Sequence, residues 1–195
     1  MQVKTLLLAP LVAAGVSAAP KKAAPQNEIF QGLALRSASD IHFNYLQAAQ
    51  EHFSLKLKDQ KASCDRNVKE NQATLHLFEQ QLFLYKTDNP PQQVYVDRSG
   101  MGQGLMGYTT GAQPKPKNGE YKGWSIGKDG NLKFDGASFI ACPSDPKKPA
   151  TSSWSVWVNA GVDQPGWSKG CLPFNIKAVE VKKPVGCYYS NVPQQ

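Results

Sequence analysis

The feature that most constrains this chain is a succession of short segments in which apolar and polar residues alternate. They include "FQGLALRS", "IHFNYL", "HFSLKL", "ATLHLF", "QLFLYK", "QVYVD", "SFIAC", "SWSVWV" and "KAVEV". A period of two is typical of half-buried β-strands, and turn residues separate the segments. "KDGN", between "WSI" and "LKF", predicts a hairpin with glycine in its loop. Only "YLQAAQEHF" could form a turn or two of helix, so the sequence predicts an all-β protein.

An internal repeat refines this prediction. Apolar residues recur at a constant offset, as Leu75, Leu77, Phe83, Tyr85 and Tyr108 and then as Trp124, Ile126, Leu132, Phe134 and Trp157. Each copy predicts four strands, at 75–78, 82–86, 93–97 and 104–109, and at 123–127, 131–135, 138–142 and 154–158. Four strands per repeat favour a β-trefoil, with a third unit built from the N-terminal strands and from "FNIKAVEV" and "CYYS". A β-sandwich is the alternative.

The ends of the chain predict a secreted protein. Residues 1–18 combine an early Lys4 with a short apolar run and small residues at a cleavage site, as in a signal peptide. Residues 19–27 are rich in Ala, Pro and Lys and are expected to be a disordered arm, in which Lys21-Lys22 is a candidate processing site. We expect one domain over 28–190 and a flexible polar tail over 191–195, with no membrane anchor.

The cysteine count agrees with export. Cys64, Cys142, Cys171 and Cys187 form an even set, which predicts two disulfides in an oxidising compartment. Four cysteines allow three pairings, of which Cys64–Cys142 with Cys171–Cys187 is favoured because these loops do not cross. Their spacing fits no zinc module, so no metal is expected.

The charge is positive but dispersed. The formal net charge is +7, with lysines in pairs such as Lys147-Lys148 and Lys182-Lys183. Such pairs are typical of a solvated surface, and the alternative is attraction to anionic wall polymers. A secreted chain without a concentrated basic stripe is not expected to bind nucleic acid.

Two motifs resemble catalytic or cofactor sites without their structural context. Gly102, Gly104 and Gly107 form G-x-G-x-x-G, but strand and turn residues follow where a dinucleotide site needs a helix. Residues 123–127 form G-x-S-x-G around Ser125, but all three histidines precede it and a hairpin follows. No pair of acidic residues is marked out as a glycosidase pair. We therefore expect neither a cofactor nor an enzyme.

Aromatic residues are the candidate ligand contacts, because an exposed ring can stack on a sugar. Trp124 and Trp157 occupy repeat positions and are expected in the core, with Trp154 facing away from Trp157. Trp167 and Tyr121 lie in loop sequence and are the candidate glycan contacts.

A long signature gives the chain a family resemblance. Residues 94–134, with "IACP", "WSVWVNAGV" and "ASCDR", resemble PhiA, a family of secreted cell wall proteins of filamentous fungi. The most specific part is "DRSGMGQG", which contains Asp97, Arg98, Ser99, Gly100, Gly102 and Gly104. "GWSIGKDGNL" is more distantly similar to the C-terminal domain of PIR-type wall proteins. Two features depart from these patterns: Lys61 replaces the asparagine of a family glycosylation site, and the PIR repeat used for covalent glucan linkage is absent.

The resemblance implies a non-catalytic wall protein that is needed for phialides, conidia and wall integrity. We expect its partner to be a wall polysaccharide, chitin or β-glucan. The alternatives are a glycan-binding wall module and a secreted antimicrobial, stress-protectant or protease-inhibitor-like protein.

Overall fold

A computed structural model describes residues 27–86 and 90–190. The predicted signal peptide (1–18), the predicted arm apart from Asn27, and the predicted tail (191–195) lie outside these residues. Asn27, the one residue of the predicted arm that is described, belongs to a strand. Within the described ranges, no helix is long and apolar enough to cross a membrane.

The described residues form fourteen strands. They are β1 (Asn27–Leu35), β2 (Gln47–Ala49), β3 (His52–Leu55), β4 (Ser63–Cys64), β5 (Thr74–Phe78), β6 (Gln81–Leu84), β7 (Gln92–Asp97), β8 (Leu105–Thr110), β9 (Trp124–Ile126), β10 (Asn131–Phe134), β11 (Phe139–Pro143), β12 (Trp154–Val158), β13 (Leu172–Glu180) and β14 (Cys187–Tyr188). Three 3₁₀ turns, at Asp65–Asn67, Pro149–Thr151 and Pro165–Trp167, are the helical elements of the described residues. The all-β prediction is confirmed.

The strands close into a barrel. Nine of them pair in the order β1-β5-β6-β7-β8-β3-β12-β11-β13, and β1 pairs with β13 to complete the ring. The β9–β10 hairpin continues the sheet from β13, β2 pairs with β3, and β4 pairs with β14 in a separate two-stranded sheet. All these pairings are antiparallel. A closed ring leaves few strand edges free, which protects a secreted protein from edge-to-edge aggregation.

All eight strands of the predicted repeat are present, as β5–β8 and β9–β12. The "KDGN" hairpin is confirmed between β9 and β10. Gly130 adopts φ +70° there, and the Asp129 carboxylate accepts a hydrogen bond from the backbone N–H of Asn131 at 3.1 Å. The local turn chemistry thus sets this register.

Two sequence expectations before the repeat were wrong. Most of "IHFNYL" is a turn that precedes β2, not a strand, and "YLQAAQEHF" forms β2 and the start of β3, not a helix. Gln50 and Glu51 both adopt positive φ, which makes the tight β2–β3 turn. The backbone conformation at these two residues decides between helix and hairpin.

The tryptophan prediction was correct at Trp124 and wrong at Trp157. Trp124 is fully buried, but Trp154 lies in the core while Trp157 is half-buried on the outer face of β12. Val156 and Val158 share the inner face with Trp154, because side chains two apart in a strand point the same way. The alternation of residues 154, 156 and 158 therefore determines which tryptophan is buried, and the repeat alignment does not.

The disulfides pair differently from the prediction. The structure joins Cys64 to Cys187 and Cys142 to Cys171, so Cys64–Cys142 and Cys171–Cys187 were wrong. Cys64 and Cys187 are opposite residues of the β4–β14 pair, with Cα atoms 4.0 Å apart. Cys142 lies in β11 and Cys171 directly precedes β13, the strand that pairs with β11. Strand register therefore selects a nested pairing, which also has no crossing.

A buried polar network holds the end of the described chain against the barrel. The Gln92 amide donates to the Tyr189 carbonyl at 2.8 Å and to the Thr110 hydroxyl at 2.9 Å, and accepts from the Tyr189 N–H at 2.8 Å. The Tyr189 hydroxyl accepts a hydrogen bond from the Thr74 N–H at 3.0 Å. Burial raises the pKa of Tyr189 to about 12. A fully paired buried network of this kind fixes one arrangement of the segment.

Candidate functional site

The glycine-rich signature forms a tight connection between β7 and β8. The Asp97 carbonyl accepts a hydrogen bond from the Gly104 N–H at 2.8 Å, and the Asp97 carboxylate accepts one from the Ser99 N–H at 2.9 Å. A Cβ on Gly102 would lie 2.2 Å from the Asp97 side chain, and one on Gly104 would lie 2.0 Å from the Val158 carbonyl oxygen. Strand β8 follows directly, so this segment lacks the helix N-terminus that a dinucleotide phosphate requires.

Arg98 joins this connection to the second repeat. Its guanidinium group binds Glu120 through two nitrogens, with Nε 2.9 Å from Oε1, and its Nη2 donates to Asp135 at 2.8 Å. The same group lies 4.9 Å from the centre of the Phe134 ring. Its hydrogen bonds lower the pKa of Glu120. The signature residues thus form a structural joint between the two repeats.

The G-x-S-x-G motif lies in a hairpin. Ser125 is opposite Lys133 in the β9–β10 pair, and Trp124 beside it is buried. The His42 ring accepts from the Arg36 N–H, His76 is hydrogen-bonded to Asn27, and His52 lies opposite Gly107 in the sheet. Among the described residues, no hydrogen bond joins Ser125 to any of these histidines. The motif therefore lacks the strand-turn-helix geometry of a nucleophile elbow. Among the described residues, no three potential metal ligands are grouped closely enough to hold an ion.

Trp167 is presented to solvent on a braced turn. Its side chain is 76% exposed, and its backbone has φ +56°, an unfavourable conformation for a bulky residue. The preceding Gly166 donates its N–H to the Gln103 side chain at 2.8 Å and packs against the ring of Trp157. The Cys142–Cys171 bond anchors the far end of the same segment. The backbone that carries the ring is therefore held in place, and the ring itself is open to solvent.

Tyr121, the other predicted contact, has a different setting. Its ring is half-buried, with the Lys115 ammonium 4.6 Å from its centre and the Tyr95 ring centre 5.9 Å away. Burial raises the pKa of its hydroxyl group. Among the described residues, no ring contact or hydrogen bond joins it to Trp167. The structure therefore offers Trp167 as an open stacking surface and leaves Tyr121 partly covered.

Sequence reasoning missed two exposed side chains. Met101, in the signature segment, is 76% exposed, and Phe43 is 65% exposed. "IHFNYL" suggested a strand, which obscured Phe43, although its adjacent polar residues are equally consistent with a turn.

Comparison with known proteins decides the family. The family model for PhiA-like secreted proteins matches residues 30–190. The chain belongs to this family. It is 42% identical to the cell wall protein phiA of Aspergillus niger over 191 aligned residues. The aligned region covers 98% of this chain and all of the relative. The corresponding protein of Aspergillus fumigatus is 40% identical over 190 residues, covering 97% of this chain and all of the relative. No solved structure matches.

The PhiA-like family membership confirms the resemblance recognised in the sequence. It also confirms that the protein is secreted and belongs to the cell wall, as predicted from its N-terminal segment and its signature. The relative from Emericella nidulans, also named a cell wall protein phiA, is 39% identical over 171 residues, 87% of this chain and 91% of its own length.

Proposed function

We propose that this protein is a non-catalytic structural and protective component of the cell wall, needed for the development of phialides and conidia and for wall integrity. The observation that carries the proposal is the nearly full-length similarity to proteins named for the cell wall. A closed barrel with two disulfides supports it, because cross-links stabilise a fold outside the cell.

We also infer that the two repeats belong to a trefoil-like arrangement rather than a sandwich. The support is that each repeat contributes four consecutive strands and that the ring closes on itself through β1 and β13. The third unit of such an arrangement would be assembled from both ends of the chain, β1–β4 together with β13 and β14.

The proposed means of retention in the wall is non-covalent contact with chitin or β-glucan through Trp167. The face of an aromatic ring carries partial negative charge, which attracts the polarised C–H groups on a sugar ring. Trp167 offers such a face, 76% exposed on a turn whose backbone is braced by the Gly166–Gln103 hydrogen bond.

Exposed lysines of the Trp167 segment and of the β11–β12 connection add a second, salt-dependent contribution. Lys169 follows Trp167 in the same segment, and Lys147 and Lys148 lie in the connection that begins after Cys142. Attraction of these cations to anionic wall polymers is screened over about 8 Å at physiological salt. We therefore expect retention to weaken with salt without disappearing, because stacking on Trp167 is not screened.

A pull-down on insoluble chitin and β-glucan tests this proposal. The secreted chain should be depleted from solution at low salt, and Trp167→Ala should reduce depletion about tenfold. Phe78→Ala is the matched control, because it removes an aromatic ring that is 41% exposed on strand β5. No depletion of the wild-type chain would overturn the retention proposal. Growth or protease inhibition without wall binding would favour the secreted-inhibitor alternative instead.

A further inference from the structure

Phe43 shares two unusual properties with Trp167. Both side chains are highly exposed, 65% and 76%, against 41% for Phe78 and 39% for Tyr188, the other exposed aromatic residues described. Both also adopt left-handed backbone conformations, with φ +59° at Phe43 and φ +56° at Trp167. Bulky residues rarely occupy this region, and where they do, the surrounding structure must hold them there.

The turn that presents Phe43 is held from several sides. The Phe43 N–H donates to the Ala34 carbonyl at 2.8 Å, and the Ala34 N–H donates to the Asn44 carbonyl at 2.8 Å. The His42 ring stacks on Phe43 with centres 3.8 Å apart, and its Nδ1 accepts from the Arg36 N–H at 3.0 Å. Phe43 is therefore a fixed platform attached to the end of β1.

A shallow groove of about 240 Å³ lies beside this platform. Its lining combines aromatic rings, side-chain amides and one ammonium group, and includes Phe43, Tyr45, Asn44, Asn71, Gln72 and Lys56. No carboxylate lines it. The groove thus offers ring surfaces together with groups that both donate and accept hydrogen bonds.

Buried glutamines set the positions of the groove walls. The Gln47 amide donates to the Leu57 carbonyl at 2.9 Å and accepts from the Leu57 N–H at 2.6 Å. Asn71 accepts a hydrogen bond from the Gln60 N–H at 2.9 Å, and the Gln60 side chain accepts one from the Ala48 N–H at 3.2 Å. These bonds connect the loop after β3 to β2, so the groove is formed before any ligand arrives.

We propose that this groove binds sugar units of a neutral polysaccharide, as a second contact in addition to Trp167. The Phe43 ring suits the C–H face of a sugar, and the Gln72 amide suits its hydroxyl groups, while the Asn71 amide is held by the loop after β3. A single lysine without carboxylates gives no basis for selecting a highly charged polymer. This inference rests on the proposed wall function and deepens it by naming a second site and its ligand class.

The two contacts are joined by fixed elements. The Lys56 ammonium donates to the Ala150 carbonyl at 2.6 Å, in the connection between β11 and β12. The Cys142–Cys171 bond links that connection to the segment of Trp167. A polysaccharide long enough to contact both sites at once would bind more tightly than at either site alone, without any new contact.

Nuclear magnetic resonance titration of the secreted chain with soluble β-1,3-glucan and chitin hexasaccharides tests the groove separately from Trp167. We expect the ring signals of Phe43 and Tyr45 and the side-chain amide signal of Gln72 to shift with one or both sugars. Phe43→Ala should weaken binding at these signals about tenfold, while Phe78→Ala should leave it unchanged. The spectrum of each variant also reports whether the barrel stays folded.

The outcomes separate the two proposals. Shifts at the Trp167 indole without shifts in the groove overturn the groove and leave the proposed retention intact. Shifts in the groove without shifts at Trp167 support the groove and overturn the Trp167 contact. Shifts at neither site with either hexasaccharide overturn both.

Discussion

Each repeat contains four equivalent strands, but the two repeats differ in the connection between the third strand and the fourth. In the first repeat, residues 98–104 are rich in glycine and pack against Val158 and the second repeat. In the second repeat, residues 144–153 include the exposed Lys147 and Lys148 and begin after β11, which holds the disulfide-bonded Cys142. Equivalent connections in one barrel thus differ in role. The first joins the repeats, and the second presents lysines to solvent.

The largest expected loss of stability comes from removing a disulfide. Cys64–Cys187 links residues 123 positions apart and Cys142–Cys171 links residues 29 apart. The chain entropy gained by the unfolded state predicts that the free energy of unfolding falls by about 4–5 kcal/mol in Cys64→Ser/Cys187→Ser and by about 3–4 kcal/mol in Cys142→Ser/Cys171→Ser. Denaturant unfolding measures both.

Polysaccharide binding by the two double variants separates the roles of the two disulfides. The Cys142→Ser/Cys171→Ser variant should bind polysaccharide less well, because the disulfide anchors the Trp167 segment. The Cys64→Ser/Cys187→Ser variant should bind normally at temperatures where it is folded. The reverse order of binding losses would contradict the assignment of the Trp167 segment to the binding surface.

The next largest effect tests the first connection. Gly104→Ala should cost about 3 kcal/mol, because the new Cβ would lie 2.0 Å from the Val158 carbonyl at φ +96°. Gly161→Ala is the matched control, with φ +83° and nothing within 4 Å of the added Cβ, and should cost about 1 kcal/mol. Equal losses in thermal unfolding would mean that the close packing of the repeats does not constrain Gly104.

The Arg98 ion pairs belong to the same joint, and the pH dependence of stability tests them. Arg98→Ala should cost about 1 kcal/mol at pH 7, since the pair is partly exposed. Arg98 lowers the pKa of Glu120 below 4.5, so the pair stabilises the fold above that pH and loses its effect as pH falls through the lower folded value. The difference between the wild-type and variant stabilities should therefore shrink as the pH falls below 4.5 and through the lowered pKa of Glu120. The control Lys133→Ala, which removes one exposed ion pair at 3.5 Å, should lower the free energy of unfolding by less than Arg98→Ala does. A loss of stability in Arg98→Ala that stayed constant down to pH 2 would contradict the ionic account.

The smallest effect on stability is expected at Trp167. Trp167→Gly removes an exposed side chain from a residue with φ +56°, a conformation that glycine adopts freely. The unfolding free energy should change by less than about 0.5 kcal/mol, while depletion by insoluble polysaccharide should fall about tenfold, as for Trp167→Ala. A large loss of stability would show that this tryptophan serves packing instead of ligand contact.

Periodicity and turn chemistry predicted most of the barrel. The eight repeat strands and the hairpin at Gly130 follow from local alternation and turn residues, which the tertiary structure respects. Family membership was recognisable from the segment around Arg98. The role of Arg98 itself was not, because its partners Glu120 and Asp135 are brought to it by strand pairing.

Other features depend on information that a local pattern does not contain. The disulfide pairing depends on β4 lying opposite β14 and β11 beside β13. The turn at Phe43 depends on positive backbone φ in a segment whose side chains alternate like a strand. Trp167 was predicted as a candidate contact from its loop sequence alone, but its exposure and bracing required the fold.

Sequential extraction of isolated walls tests the central claim most directly. If the protein is held by non-covalent contacts at Trp167 and Phe43, hot detergent should release the wild-type chain. The Trp167→Ala/Phe43→Ala variant should accumulate in the medium, and a strain carrying it should show the wall defects of a strain lacking the protein. Release of the wild-type chain only by glucanase or chitinase, or unchanged wall content of the double variant, would contradict the account.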